Sequence, residues 1–217
     1  MGTMATDDAI PEDPERRLRT GRLEAFSDGV FAIAITLLVL ELTVPAGSES
    51  DLLRAFLDQW RSYLAYLVSF STIGAVWLAH SAMTEYVHQA DAKFARINLL
   101  LLMVVSFIPF PTRLLAEYSS DDDAARVATT IYGINFLTAS VLVSVLWRYA
   151  VGTGLIRPDA ADRDVETLTT KLTPGLAGYA AMIVLGLFLP TVAVVGYLVI
   201  AVFLILPFSL VPRRHPH

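Results

Sequence analysis

Long runs of apolar residues, separated by short charged segments, constrain this chain more than any other feature of its sequence. Of its residues 55% are hydrophobic and only 17% are charged, whereas a soluble domain carries about 25% charged residues. Six of the runs approach the roughly 20 residues that a helix needs to cross a bilayer. These runs are Phe26–Val44, Tyr63–Ala82, Ile97–Leu115, Val127–Trp147, Leu172–Leu189 and Thr191–Val211.

The apolar runs are continuous, which indicates helices rather than strands. Strands of a membrane barrel are about ten residues long and alternate between apolar and polar side chains. A helix also satisfies every backbone polar group within lipid. The predicted fold is therefore all-α: a polytopic membrane protein with six transmembrane helices and no re-entrant pore loop. Residues 1–21 and 212–217 are predicted to be polar tails flanking a transmembrane domain at residues 22–211.

The distribution of Lys and Arg predicts how the chain is oriented. If the amino terminus faces the cytoplasm, twelve of the sixteen basic residues fall in cytoplasmic segments and four fall outside. Cytoplasmic loops of membrane proteins carry such an excess of basic residues. We therefore expect a multi-pass protein of the plasma (inner) membrane with both termini in the cytoplasm.

Several classes of function are not expected from this sequence. The absence of cysteine removes disulfides and thiolate metal sites, and the net charge of −5 gives no general attraction to nucleic acid. We find no HExxH, GxSxG, P-loop or dinucleotide-binding motif. The chain is therefore expected to be no enzyme, to have no cofactor or resident metal ion, and to bind no nucleic acid.

A few polar residues are predicted to meet at one depth of the membrane. In the predicted topology Ser27, Asp28, His80 and Asn98 all lie in the cytoplasmic half. An unpaired ionised Asp costs about 2.5–3.5 kcal/mol at the centre of a membrane, so hydrogen bonds from these residues or from Trp77 are expected. The group is either a polar clasp that fixes helix packing or a relay for protons or ions.

The first predicted helix carries a stripe of residues on one side. At 100° per residue, this stripe covers about 100° and consists of Gly29, Ile33, Thr36, Leu37 and Leu40. The rest of the helix is apolar all round, so its periodicity does not decide what the stripe faces. Packing inside the subunit and exposure to a pore both remain open.

Residues 22–42, RLEAFSDGVFAIAITLLVLEL, resemble the first-helix signature of bacterial relatives of the lysosomal potassium channel transmembrane protein 175. In this signature Arg22 precedes the Phe-Ser-Asp motif by four residues. The resemblance continues with Trp77 and His80 at the end of the second predicted helix, and with Asn98 at the start of the third. It extends to Pro109-Phe110-Pro111.

This resemblance implies a potassium-permeable cation channel without a re-entrant filter, in a lipid bilayer. It also implies a homotetramer in which the first helix of each subunit lines the pore. The implied pore constriction is formed by Ile33, Leu37 and Leu40, and Thr36 is the residue linked to potassium preference. The implied structural network around the pore helix consists of Arg22, Phe26, Ser27, Asp28, Trp77, His80 and Asn98.

Two other functions are consistent with these residues. A proton-coupled secondary transporter would use Asp28 and His80, although we detect no inverted repeat or paired broken helices. A membrane scaffold that conducts no ions would use the polar residues for packing alone. For a channel, acidic residues on the predicted outer side, Glu41 and Glu117 among them, could concentrate cations at the mouth.

Overall fold

The chain is described by a computed structural model over residues 20–43, 51–118, 122–158, 160–172 and 174–209, and this part is almost entirely helical. The predicted tails, apart from residues 20 and 21, lie outside the described residues. The helices are α1 (Thr20–Leu37), α2 (Leu52–Asp58), α3 (Trp60–Thr84), α4 (Ala92–Phe107), α5 (Pro109–Tyr118), α6 (Asp122–Gly152), α7 (Asp162–Leu172), α8 (Pro174–Gly186) and α9 (Pro190–Ser209). A 3₁₀ turn at Leu38–Glu41, here called the outer turn, extends α1.

Four helical segments are long and apolar enough to cross a membrane. They are Thr20–Glu41, Trp60–Thr84, Ala92–Tyr118 and Asp123–Gly152. The last three contain the second, third and fourth predicted runs, and the first covers all but the last three residues of the run Phe26–Val44. Helix α8 has only 13 residues, which corresponds to about 20 Å and is shorter than the ~30 Å hydrocarbon core. The all-helical prediction is confirmed, and the full count of six spanning helices remains a prediction.

The third predicted span is divided into two helices, α4 and α5, at Pro109. Proline lacks the backbone N–H that would continue the hydrogen-bond ladder of α4. The amide of Ile108 donates instead to the Val105 oxygen at 3.1 Å, which satisfies the acceptor that Pro109 cannot reach. Just after the break, the amide and the hydroxyl of Thr112 both donate to the Ile108 oxygen, at 3.1 and 2.8 Å.

The centre of the bundle is aromatic. Tyr132 and Phe136 of α6 pack at 4.5 Å between ring centroids, and Tyr179 of α8 and Tyr197 of α9 pack at 6.2 Å. Ring pairs at these separations add to the stability given by burial alone. Helix α1 lies apart from these rings and packs on α3 and α4. Only one face of α1 is therefore covered by its own subunit.

Two connections between helices are joined on the side that is predicted to be cytoplasmic. Val87, between α3 and α4, and Ile156, between α6 and α7, form an isolated antiparallel bridge. The amide of His88 donates to the Leu155 oxygen, and the amide of Arg157 donates to the Tyr86 oxygen, each at 2.9 Å. This bridge links the two halves of the described bundle at one end.

Candidate functional site

Helix α1 and its outer turn have two different faces. Ser27, Phe31, Ala34 and Leu38 are buried, and their spacing of four, three and four residues places them on one side of a helix. The predicted stripe is centred about 150° away. Within that stripe Ile33 is 60% exposed and neighbouring members are also exposed. The stripe therefore does not pack inside its own subunit.

Exposure continues along the stripe toward the end of the helix. Thr36 is exposed, Leu37 is 40% exposed and Leu40 is 69% exposed. The Thr36 hydroxyl donates to the carbonyl oxygen of Ile33 at 2.9 Å. Since its hydrogen is used in this bond, the Thr36 oxygen presents lone pairs to the surroundings. A cation beside this face of α1 would find one hydroxyl oxygen among apolar side chains.

Three buried polar side chains connect the cytoplasmic part of α1 to α4 and α3. Asn98 Nδ2 donates to Ser27 Oγ at 2.9 Å, and Asn98 Oδ1 lies 2.8 Å from His80 Nε2. The Ser27 hydroxyl in turn donates to the Leu23 oxygen at 2.8 Å. All three side chains have no exposed surface. We call Ser27, His80 and Asn98 the polar clasp.

The clasp determines which nitrogen of His80 carries hydrogen. Because Asn98 uses its amide nitrogen toward Ser27, its oxygen faces His80 and His80 Nε2 is the donor. His80 Nδ1 has no hydrogen-bond partner among the described residues. The Phe31 ring covers the imidazole at 5.6 Å between centroids. Phe31 was not selected from the sequence, although its position four residues after Ser27 places it on the same face.

Asp28 is held by a separate contact. Trp77 Nε1 donates to Asp28 Oδ1 at 2.9 Å, which offsets part of the cost of a carboxylate at the membrane. The structure thus brings Asp28 to Trp77 and His80 to Asn98. Within the part of the chain that the structure describes, Asp28 and His80 share no hydrogen bond or ion pair.

Arg22 and Phe26 lie outside this cluster. Both side chains are exposed, and Arg22 makes no hydrogen bond or ion pair with a residue that the structure describes. Helical geometry gives the reason. Measured around the helix axis from Asp28, Arg22 lies at about 120° and Phe26 at about 160°, which is on the same side as the stripe. Within one subunit they therefore extend the exposed face rather than the polar clasp.

A second polar cluster was not predicted as a unit. Ser69 Oγ lies 2.7 Å from Thr112 Oγ1 and 2.8 Å from Tyr132 Oη, which joins α3, α5 and α6. Ser69 precedes His80 by eleven residues on α3, which corresponds to about 16 Å of helix rise. The two clusters therefore sit at different depths. We call Ser69, Thr112 and Tyr132 the hydroxyl cluster.

The described residues contain no group of three or more His, Asp or Glu side chains placed to hold a metal ion. The acidic residues expected at the outer mouth are partly neutralised. Arg113 lies 3.7 Å from both Glu41 and Glu117, and Arg126 lies 3.3 Å from Asp123. The net charge presented on this side is thus smaller than the acidic residues alone indicate.

Comparison with known proteins identifies the family. A family model described as the endosomal/lysosomal potassium channel TMEM175 matches residues 22–109, which include all but the first two residues of α1, the polar clasp and Pro109. A potassium channel of Chamaesiphon minutus is 44% identical over 171 residues, covering 76% of this chain and 83% of that protein. The chain belongs to the TMEM175 family. The resemblance drawn from residues 22–42 is thereby confirmed.

Two further TMEM175 comparisons agree. A potassium channel of Streptomyces collinus is 41% identical over 162 residues, or 74% of this chain and 79% of that protein. The crystal structure of a lysosomal potassium-selective channel TMEM175 homolog from Chamaesiphon minutus has a TM-score of 0.79 and 39% identity, covering 88% of this chain and 98% of that one. These TMEM175 relatives are ion channels and not enzymes, so the chain is a membrane protein without an expected enzymatic role.

Proposed function

We propose that this TMEM175-family chain is a potassium-permeable cation channel of the plasma (inner) membrane. The observation that carries the proposal is the exposed stripe on α1, where Ile33, Leu37 and Leu40 face away from the subunit. The relatives named as potassium channels support the same function. The permeating ion is then potassium, and the protein's other partners are the lipid bilayer and copies of itself.

The stripe requires several subunits to form a conduit. One helix face covers only part of the circumference of a pore, whereas symmetry copies arranged around an axis enclose one. We propose a homotetramer in which α1 of each subunit lines the axis. The polar clasp supports this arrangement because it fixes the cytoplasmic half of α1 to α3 and α4 from the opposite side.

The apolar members of the stripe are proposed to form the constriction. Ile33 and Leu37 are about 6 Å apart along the helix axis, and Leu37 and Leu40 about 4.5 Å. Four copies of each would form stacked apolar rings. A narrow apolar ring stops ions by excluding water and conducts when it widens enough to hold a hydrated path. We therefore propose hydrophobic gating along this part of α1.

Thr36 is proposed to give a weak preference for potassium over sodium. Its hydroxyl oxygen lies on the exposed face between Ile33 and Leu37. Four such oxygens could replace part of the hydration shell of a passing ion. Potassium holds its water less tightly than sodium does, so an apolar passage with few oxygens favours potassium modestly.

Replacement of Thr36 tests this assignment. Thr36→Val keeps the shape of the side chain and removes the oxygen, so we expect the permeability ratio of potassium to sodium to fall by about half or more. Thr36→Ser retains the oxygen and should keep most of the ratio. The measurement is the reversal potential in planar bilayers with potassium on one side and sodium on the other. Equal ratios in the two variants would contradict the role of the hydroxyl.

Flux through the purified protein tests the function as a whole. Reconstituted in liposomes with a potassium gradient, the protein is expected to carry potassium passively, with a reversal potential that follows that gradient. A proton-coupled transporter would instead show saturable, pH-driven uptake whose coupling is lost in Asp28→Asn. The names of the relatives do not favour that alternative. An absence of flux under all conditions would leave the scaffold function and refute the channel.

A further inference from the structure

An ion pair joins the outer turn to α5. Arg113 Nε lies 3.7 Å from Glu41 Oε2 and also 3.7 Å from a carboxylate oxygen of Glu117. Glu117 lies one helical turn from Arg113 on the same helix, whereas Glu41 belongs to the segment that continues α1. The Glu41 side chain is 25% exposed and that of Arg113 is 64% exposed. We call Glu41 and Arg113 the outer clamp.

The helix that carries Arg113 is itself held in place. Thr112, its neighbour in sequence, is buried and belongs to the hydroxyl cluster with Ser69 and Tyr132. Hydrogen bonds between buried groups are costly to leave unmade, so the start of α5 is fixed to α3 and α6. Arg113 therefore projects from a rigid support toward the end of α1.

The outer turn is the part of the pore-lining segment that most needs such a support. Residues 38–41 form a 3₁₀ turn, with the amide of Leu42 bonded to the Val39 oxygen at 3.1 Å. Hydrogen bonds in 3₁₀ turns have poorer geometry than those in α-helices. Leu38 is fully buried, while Leu40 is 69% exposed. Glu41 follows Leu40 directly, so the position of one side chain constrains the direction of the other.

We propose that Arg113 is a positioning residue that, through Glu41, holds the Leu40 constriction in its narrow arrangement. This inference rests on the proposed channel function. It gives α1 two supports: the polar clasp fixes its cytoplasmic half and the outer clamp fixes its outer end. Between them the stripe faces the axis, and its side chains make no hydrogen bond or ion pair with another helix in the described part of the chain.

The signs of two neutralising variants separate positioning from a field effect. Glu41→Gln removes a negative charge near the mouth and Arg113→Gln removes a positive one. If these residues acted on permeating cations through their charge alone, the two variants would change the current in opposite directions. If they hold the outer turn, both variants loosen it, and both should raise the open probability.

The experiment is single-channel recording in planar bilayers with about 0.15 M potassium chloride, where the Debye length of about 8 Å leaves a 3.7 Å ion pair only partly screened. We expect Glu41→Gln and Arg113→Gln each to raise the open probability by about two- to fivefold, the range that a partly exposed ion pair can supply. The double variant should show no more than either single one. Glu117→Gln removes the same charge as Glu41→Gln and leaves Arg113 with Glu41 as its ion-pair partner, so it should not raise the open probability.

A variant with the two charges exchanged shows whether the effects of the single variants come from loss of the ion pair or from failure to assemble. Glu41→Arg combined with Arg113→Glu should restore the low open probability, because the pair is rebuilt with reversed polarity. Opposite or additive effects of the single variants, an unchanged or lowered open probability, or an equal effect of Glu117→Gln would overturn the clamp. Failure of the unmodified protein to conduct refutes the channel itself, which distinguishes the two proposals.

Discussion

Ile33→Asn is expected to raise potassium flux into liposomes at least about tenfold. Ile33 is 60% exposed on the stripe, so four copies would place a ring of amides where the proposed channel has its first apolar ring. Polar groups hydrate a constriction that otherwise excludes water. Because the more hydrated constriction also admits sodium, we expect the preference for potassium over sodium to fall as the flux rises.

A matched substitution controls for the effect of a polar residue in the membrane. Val199 of α9 is 62% exposed, close to the exposure of Ile33, and it does not belong to the stripe. Val199→Asn therefore introduces the same side chain at a similar exposure on a different helix. We expect flux to remain near that of the unmodified protein. Similar increases in both variants, or no increase in Ile33→Asn, would refute the assignment of Ile33 to the pore.

Asn98→Ala is expected to lower the thermal stability of the protein strongly. Asn98 connects Ser27 and His80, and its loss leaves the His80 Nε2 donor and an acceptor site on Ser27 buried without their partner. Each such group costs about 1–3 kcal/mol. For a chain of this size, a sum of about 2–6 kcal/mol corresponds to a fall in the midpoint of unfolding of about 4–24 °C. The measurement is thermal unfolding of the purified protein in detergent.

Asn135 provides the comparison within the same chain. Its Nδ2 makes one long hydrogen bond of 3.5 Å to the Val104 oxygen. Its Oδ1 accepts no hydrogen bond from any residue that the structure describes. Asn135→Ala therefore removes little that is paired, and a change of at most a few degrees is expected. If both variants lost stability equally, the polar clasp would have no special part in holding α1.

The sequence predicts well what depends on local length and hydropathy. Continuous apolar runs identified the four long spanning segments, because each must cover the same thickness of lipid. Counting residues from the ends of those runs also placed Ser27, His80 and Asn98 at one depth, and the structure joins these three side chains by hydrogen bonds. Family resemblance added the assignment of the stripe, which periodicity alone left open.

Features that depend on which helices pack together were harder to predict. Arg22 and Phe26 were grouped with the clasp by motif, but both point along the exposed face, since adjacent positions in a helix differ by 100°. The pairing of Glu41 with Arg113 crosses from α1 to α5, and no spacing in the sequence encodes it. The sequence shows at Pro109 that the helix is interrupted. The hydrogen bond between the Thr112 and Ser69 hydroxyls depends on how α5 packs against α3, and it is seen only in the structure.

The bridge between Val87 and Ile156 links movements at the ends of distant helices. Two backbone hydrogen bonds of 2.9 Å favour a joint position of the two connections, each bond contributing about 1 kcal/mol. The connection after α3 and the connection after α6 therefore hold a common position at the end of the bundle where α3, the helix that carries His80, ends.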